Sequence, residues 1–386
     1  MGLGSPESLS RSGSNRWATS VEPRSQSRWP AAYTPLPLVA QRFDPERLKL
    51  SGEPRPIADP VGTKAFGGLA AAASSSGLLV HGRAGGEQLS WLDRAGQAAH
   101  SGGGPLGQPG DYVTFRVSPD GRRVAVGRRS GSGRDLWMVE VERDAWSRFT
   151  FLPGYAISPV WSPDGRQVMF RVGLNLYRKE ASGAGTEERV TESANTQVPS
   201  DWSRDGRLVL YYEIAPDTQQ DLWVLPVTPE GKPEAGAKAR PYLRTRFNEW
   251  GGRFSPEHRP RWVAYTSDES GRDEVYVHGF PEPRGKFQIS TGGGRFPEWS
   301  PDGRELYYVS ADGKLMAAAL KLGRDSVAPS TPRELFAVPV GTGNVSPYAV
   351  APDGKRFLVQ SPAGGSQPLE VVVNWPALLK KGAAAE

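Results

Sequence analysis

The stretch Ser158–Phe170 reads SPVWSPDGRQVMF, and a close copy, FPEWSPDGRELYYV, runs from Phe296 to Val309. The shared core has the chemistry of a tight turn. Proline fixes φ at the second position, serine and aspartate hydrogen-bond the nearby backbone, and glycine takes the positive φ at the exit. The apolar residues that follow, Val168 to Phe170 and Leu306 to Val309, read as buried strands.

The turn recurs along the chain. Ser118-Pro119-Asp120-Gly121 is followed by Ser162-Pro163-Asp164-Gly165 and by Ser203-Arg204-Asp205-Gly206, where arginine takes the proline slot. Ser255-Pro256-Glu257-His258 is a degraded copy, Ser300-Pro301-Asp302-Gly303 a clean one, and Ala351-Pro352-Asp353-Gly354 the last. Successive copies start 44, 41, 52, 45 and 51 residues apart. Each turn precedes an apolar strand such as RLVLYYEI, a polar bend, a third strand such as DLWMVEV, and a shorter fourth. Four short strands in a unit of this length are the pattern of a β-propeller blade. A catalytic centre is needed once and a blade turn once per blade, so the repeated motif reads as structural.

The expected fold is all-β, a seven-bladed β-propeller of four-stranded blades. The units fall at about 64–107, 108–153, 154–195, 196–246, 247–291, 292–342 and 343–376. The last lacks an outer strand, and the segment near 52–59 is expected to supply it and so close the ring. Residues 1–35, rich in Ser, Arg, Pro and Gly without periodicity, are expected to form a disordered tail. The propeller then spans 36–381, with a short tail at 382–386. Trp161, Trp202 and Trp299 each precede a turn serine and are expected to pack between blades.

Composition narrows the function. The chain of 386 residues has no cysteine, which excludes disulfides, thiol catalysis and cysteine-ligated metal sites. Its net charge of +5 comes from scattered arginines, many directly after the turns, so it reads as solvated surface rather than a nucleic-acid patch. No apolar run reaches the ~18 residues of a membrane-spanning helix, and the N-terminal stretch lacks the apolar core of a signal peptide. The cytoplasm is therefore the default location.

No catalytic, cofactor-binding or metal-binding residue is expected. The hydrolase elbow G-x-S-x-G is absent. His81, His100, His258 and His278 show no metal-ligand spacing. The acidic run Asp268–Glu274 lacks calcium-loop spacing and reads as a hairpin tip. Tyr112, Ser158, Gln197, Trp250, Arg295 and Ser346, at the starts of the first strands, have little metal-ligand character. The loops 228–240, 82–87 and 292–295 are the expected binding loops, because rigid scaffolds carry function on variable loops.

Several stretches, among them LSWLDRAGQ, DLWMVEVERDAWSRFTF, PSDWSRDGRLVLYY, the whole of 247–317 and LEVVVNWPALLKK, resemble the C-terminal propeller of bacterial eukaryotic-like serine/threonine protein kinases. Those propellers carry TolB-like, WD40-like (PD40) repeats, and the resemblance covers about 38–381. It implies a non-catalytic sensor or scaffold module whose kinase domain lies upstream, and a propeller outside the cytoplasm. None of the kinase motifs (His-Arg-Asp, Asp-Phe-Gly, Val-Ala-Ile-Lys) occurs here, so no kinase activity is expected of this chain. The expected partner is a protein or peptide, with a small ligand in the central channel as a further candidate, on a monomeric propeller. Two other readings stand beside this one: a lyase- or lactonase-like propeller enzyme using the channel, and a truncated fragment of a kinase gene.

Overall fold

The computed structural model describes residues 9–12, 15–21, 36–44, 49–61, 71–73, 78–82, 86–99, 104–130, 133–339, 345–363 and 369–374. Every regular element among them is a β-strand. The chain divides into two compact units, Glu87–Ser361 and a second made from Met1–Gly86 with Pro362–Glu386.

The unit 87–361 is a propeller of six blades. Blade 1 pairs Tyr112–Val117, Arg123–Ser130, Gly133–Glu140 and Ala145–Arg148 in order. Blade 2 runs Ala156–Trp161, Gln167–Val172, Asn175–Glu180, Glu188–Arg189, and blade 3 Thr196–Trp202, Leu208–Ala215, Gln219–Pro226, Arg240–Leu243. Blade 4 consists of Glu249–Phe254, Trp262–Ser267, Glu274–Gly279 and Phe287–Gln288. In blade 5, Gly294–Trp299 and Glu305–Ser310 lead to the long strand Lys314–Leu322, which pairs with both Val327–Pro329 and Arg333–Ala337. Blade 6 takes its inner strands, Tyr348–Val350 and Arg356–Pro362, from one end of the unit and its outer strands, Glu87–Asp93 and Pro105–Gly110, from the other. The six first strands touch in sequence and the last touches the first, so the ring is closed.

Two expectations are thereby corrected. There are six blades, not seven, and the strand that closes the ring is Glu87–Asp93 rather than the segment near 52–59. The region 64–107 has blade-like patterning, but its strands part company. Ala71–Ala73 and Leu78–Gly82 join Leu369–Val373 in a three-stranded sheet of the other unit. Glu87–Asp93 is kept in the ring by burial of one face. Leu89 (0% exposed) and Trp91 pack with Ala349 and Leu358 of blade 6 and with Phe115, Val124 and Val126 of blade 1. Burying a leucine and a tryptophan in this way is worth several kcal/mol, which the Pro-rich segment 52–59 does not offer. That segment lies within Lys49–Val61, paired with Leu36–Asp44 in a four-stranded sheet with Leu9–Ser12 and Asn15–Val21. Parts of the expected tail 1–35 are thus strands, and 382–386 lie outside the described residues.

The repeated turn has one construction throughout. Ser118, Ser162, Ser203 and Ser300 each donate to the aspartate two residues on, Asp120, Asp164, Asp205 and Asp302, at 2.5–2.6 Å. Each serine Oγ also accepts from the backbone N–H five residues on, at 2.8–2.9 Å. Gly121, Gly165, Gly206, Gly303 and Gly354 take φ between 66° and 76°, the left-handed region where a Cβ is penalised. The turns also pack on one another. A Cβ on Gly165, Gly206, Gly303, Gly354 or Gly121 would meet Pro119, Pro163, Pro256, Pro301 or Pro352 of the preceding blade at 3.1–3.8 Å. The final contact, Pro352 against Gly121, joins blade 6 to blade 1 and makes the turns a ring of their own. Arg204, in the proline slot, reaches across this ring to donate to the Pro301 carbonyl at 3.1 Å.

The tryptophans occupy the blade interfaces. The indole of Trp161 donates to the Arg116 carbonyl of blade 1 at 3.0 Å, and that of Trp299 to the Arg253 carbonyl of blade 4 at 3.1 Å. Trp202 packs with Val160 and Met169 of blade 2 while its indole donates to the carbonyl of Gly206 in its own turn.

Candidate functional site: the central channel

First strands of blades 1 to 5, with Val345 and Ser346 just before the first strand of blade 6, converge on one cavity of about 70 Å3. Its walls include Thr114, Arg116, Ser158, Ser200, Tyr212, Gly251, Arg253, Phe296 and Ser346. The inner strands are not regular where they form it. Pairing slips between Ile157 and Val160, Pro199 and Asp201, Trp250 and Arg253, and Arg295 and Glu298. In three of these bulges the residue four before the turn serine has positive φ: Ser158 (57°), Gly251 (64°) and Phe296 (60°). Only glycine adopts that conformation without strain, so Ser158 and Phe296 store strain where the strand bends around the channel.

Around the ring, the residue two before the turn reads Arg116, Val160, Asp201, Arg253, Glu298 and Ala349. The four charged members meet. Nη1 of Arg116 lies 2.7 Å, and Nη2 of Arg253 2.9 Å, from Oε1 of Glu298. Asp201 accepts the Phe254 N–H at 2.7 Å. Burial pushes the Asp201 carboxyl up to about 7, helped by the nearby Glu298 charge. The Glu298 carboxyl is likewise raised by burial, with Arg116 acting against the shift. Two residues that line the cavity, Ser200 and Arg253, keep a buried polar atom, Oγ and Nε, without a hydrogen-bond partner.

The expected binding loops stand elsewhere. The insertion 228–240 folds back on the blades: the Glu230 carbonyl accepts from Arg178 at 2.8 Å, and Gly231 sits against Trp202. In 292–295, the N–H of Gly293 donates to Glu274 and Arg295 pairs with Asp273 at 2.6 Å. Of the loop 82–87, residues 83–85 lie outside the described residues. Among the strand-start residues, Ser158, Trp250 and Ser346 line the channel. No group of three or more His, Asp or Glu side chains that could hold a metal ion occurs among the described residues. In the sequence the channel's charge lies not at the strand starts but two residues before the turns, where Arg116, Asp201, Arg253 and Glu298 stand in the register that Val160 and Ala349 fill with apolar side chains.

No protein-family model matches the chain. An uncharacterized peptidase of Bacillus subtilis, YuxL, is 31% identical over 93 residues, 24% of this chain and 14% of that protein. An uncharacterized protein of Agrobacterium fabrum, Atu1656, is 26% identical over 210 residues, 50% of this chain and 68% of the relative. Among solved structures, a TolB-like protein of Agrobacterium tumefaciens superposes with a TM-score of 0.55 at 17% identity, covering 72% of this chain and 98% of its own. This chain has a TolB-like propeller fold. No helix among the described residues is long and apolar enough to cross a membrane.

Proposed function

We propose that this chain is a non-catalytic binding propeller that takes its ligand or partner at the central channel. The observation that carries this reading is the cavity itself, where every blade contributes a wall and Ser200 and Arg253 leave buried polar atoms without a protein partner. Buried polar groups are ordinarily satisfied, so orphans that face one cavity mark a place for an outside partner. The charged groups support binding over chemistry. Glu298 is held by two arginines and Asp201 by a backbone N–H, so neither is presented as a free acid or base. The resemblance to kinase-linked propellers belongs to the same proposal: a sensor or scaffold working outside the cytoplasm beside a separate kinase domain, with a protein or peptide partner.

The test plugs the channel. Val345 lines the cavity and is half-buried. Wild-type protein and Val345→Trp are equilibrated with peptide and metabolite pools and examined by native mass spectrometry. Wild type should retain a ligand, unchanged in mass, that the variant loses. Equal retention would overturn the channel as the site, and a ligand returned chemically altered would make the chain an enzyme.

A further inference from the structure

The outer surface of the propeller carries a second feature, which does not depend on the channel. Among the described residues of 87–361, four large hydrophobic side chains stand exposed: Phe151 (62%), Tyr155 (40%), Leu174 (44%) and Ile214 (43%). All four sit at one end of blades 1 to 3. The repeated turn joins strands 1 and 2 of a blade, so in an antiparallel sheet the hairpin between strands 2 and 3 and the link to the next blade fall at the opposite end. Phe151 and Tyr155 belong to the link from blade 1 to blade 2, Leu174 to the hairpin of blade 2, and Ile214 to the end of the second strand of blade 3.

Backbone pairing sets them in a row. Ala156, next to Tyr155, pairs with Val172, two residues before Leu174. The Leu174 carbonyl accepts from the Gln197 N–H at 2.8 Å, and Thr196, just before Gln197, pairs with Ile214. Phe151 and Tyr155 stand on linked cations. The Arg148 guanidinium lies 5.1 Å from the Phe151 ring and that of Arg134 lies 5.2 Å from the Tyr155 ring. Arg148 in turn pairs with Asp135, the neighbour of Arg134, at 3.0 Å. The four side chains form a narrow arc across three blade ends. Single apolar residues are ordinary on a surface, whereas a contiguous set marks a place where something docks.

Charge narrows the partner. Lys179 Nζ lies 5.2 Å from the Phe151 ring, on the side chain that Arg148 also covers. Arg171 pairs with Ile157, two residues after Tyr155, and forms no ion pair among the described residues. The carboxylates set against these three cations are Asp135, held by Arg148, and Glu187, held by Lys179 at 3.2 Å. Both carboxylates are buried, whereas Arg148 is exposed. Arg189 and Glu192 pair with each other at 3.2 Å. Glu213, beside Ile214, accepts from Asn195 and Gln197 at 3.0 Å. Positive charge is therefore left over along the part of the arc on blades 1 and 2. Aromatic residues and arginine are the types enriched where proteins meet. The excess charge opposes two copies of the arc facing each other and favours an acidic partner. A narrow arc suits an extended segment better than a broad domain face.

We infer that the ends of blades 1 to 3 dock an acidic peptide segment of a partner protein, its apolar side chains on Phe151, Tyr155, Leu174 and Ile214 and its carboxylates toward Arg148 and Arg171. Fluorescence anisotropy with three labelled peptides tests this. One alternates glutamate with leucine and phenylalanine, the second has lysine for each glutamate, and the third has serine for each apolar residue. The first should bind saturably, and the other two at least about tenfold more weakly. Added salt should weaken the first. Phe151→Ser and Leu174→Ser should each lower its affinity about tenfold, and Arg171→Met should reduce its salt dependence. Phe151 and Leu174 are exposed, so both serine variants should melt with wild type, and Ile214→Thr replaces either one that does not fold. Val345→Trp should bind the peptide as wild type does. Failure of the first peptide to bind, equal binding of all three, or binding unchanged by the serine variants would overturn the inference. A dimer in sedimentation that Phe151→Ser dissolves would put a second copy on the arc, and tighter binding to phosphatidylglycerol vesicles than to the peptide would put a membrane there; either result overturns it. If Val345→Trp loses the peptide, the peptide lies in the channel, the arc falls as its site and the channel reading stands.

Discussion

Ring closure by Glu87–Asp93 makes a sharp quantitative prediction at Leu89. This side chain is fully buried in the cluster between blades 6 and 1, with Phe115, Val124, Val126 and Leu358 around it. Truncation to alanine removes the transfer free energy of the lost carbons and leaves a cavity that the strands on either side cannot fill, a cost of about 3 kcal/mol. For a cooperative unit of this size that corresponds to a fall of about 6 °C in Tm, at about 2 °C per kcal/mol. Leu136, equally buried in the third strand of blade 1, provides the internal standard: Leu136→Ala should cost a similar amount. Removing residues 1–62 takes away the segment near 52–59 but leaves every strand of the ring, and should leave the propeller transition in place. Circular dichroism melts and urea titrations of the four proteins measure this. If Leu89→Ala melts with wild type, or if deletion of 1–62 costs more than Leu89→Ala, Glu87–Asp93 is not the closing strand.

Other consequences can be checked with the same instruments. Ser300→Ala removes one hydrogen bond to Asp302 and leaves the Glu305 N–H without its acceptor, so a loss of about 1–3 kcal/mol is expected in urea unfolding, and Ser162→Ala should match it. Trp299→Phe keeps most of the wedge but leaves the Arg253 carbonyl without its donor, and should cost about 1 kcal/mol or more by the same assay. Arg94, which donates to both oxygens of Glu305 and to Tyr307 at 2.7–2.9 Å, ties the connection after the closing strand to blade 5, and Arg94→Met should lower Tm more than removal of the exposed Arg166. Stability should depend on pH in a stated direction. Glu87, Asp201 and Glu249 are raised by burial to about 7, so the folded chain holds protons that the unfolded chain has released; stability therefore falls as pH rises from about 4 to 7 and levels off above. Asp302 and Asp353 are held below the usual carboxylate range, Asp302 chiefly by its hydrogen bond from Ser300, and their contribution disappears as pH drops below that range. The optimum should be mildly acidic, and Asp201→Asn should flatten the decline toward neutral pH.

What the sequence determined by itself is the blade. A serine that bonds an aspartate, a proline with fixed φ and a glycine free to take positive φ are local chemistry, and they write the same hairpin wherever they occur. Strand alternation and the tryptophan before each turn are local in the same sense, so the all-β propeller was legible from residues alone. The number of blades was not, because it depends on which distant strands compete for one open edge. Patterning at Leu78–Gly82 suits a blade as well as it suits pairing with Leu369–Val373, and only burial of Leu89 and Trp91 against blades 6 and 1 decides the outcome. The Pro352–Gly121 contact that completes the turn ring has the same origin. The channel shows the same division. Arg116, Asp201, Arg253 and Glu298 are visible as charges at one repeat position, but in a flat strand they would alternate into solvent. Bulges at Ser158, Gly251 and Phe296 bend the inner strands, the closed ring brings residues of blades 1, 4 and 5 within 3 Å, and a set of scattered surface charges becomes a buried, ion-paired site.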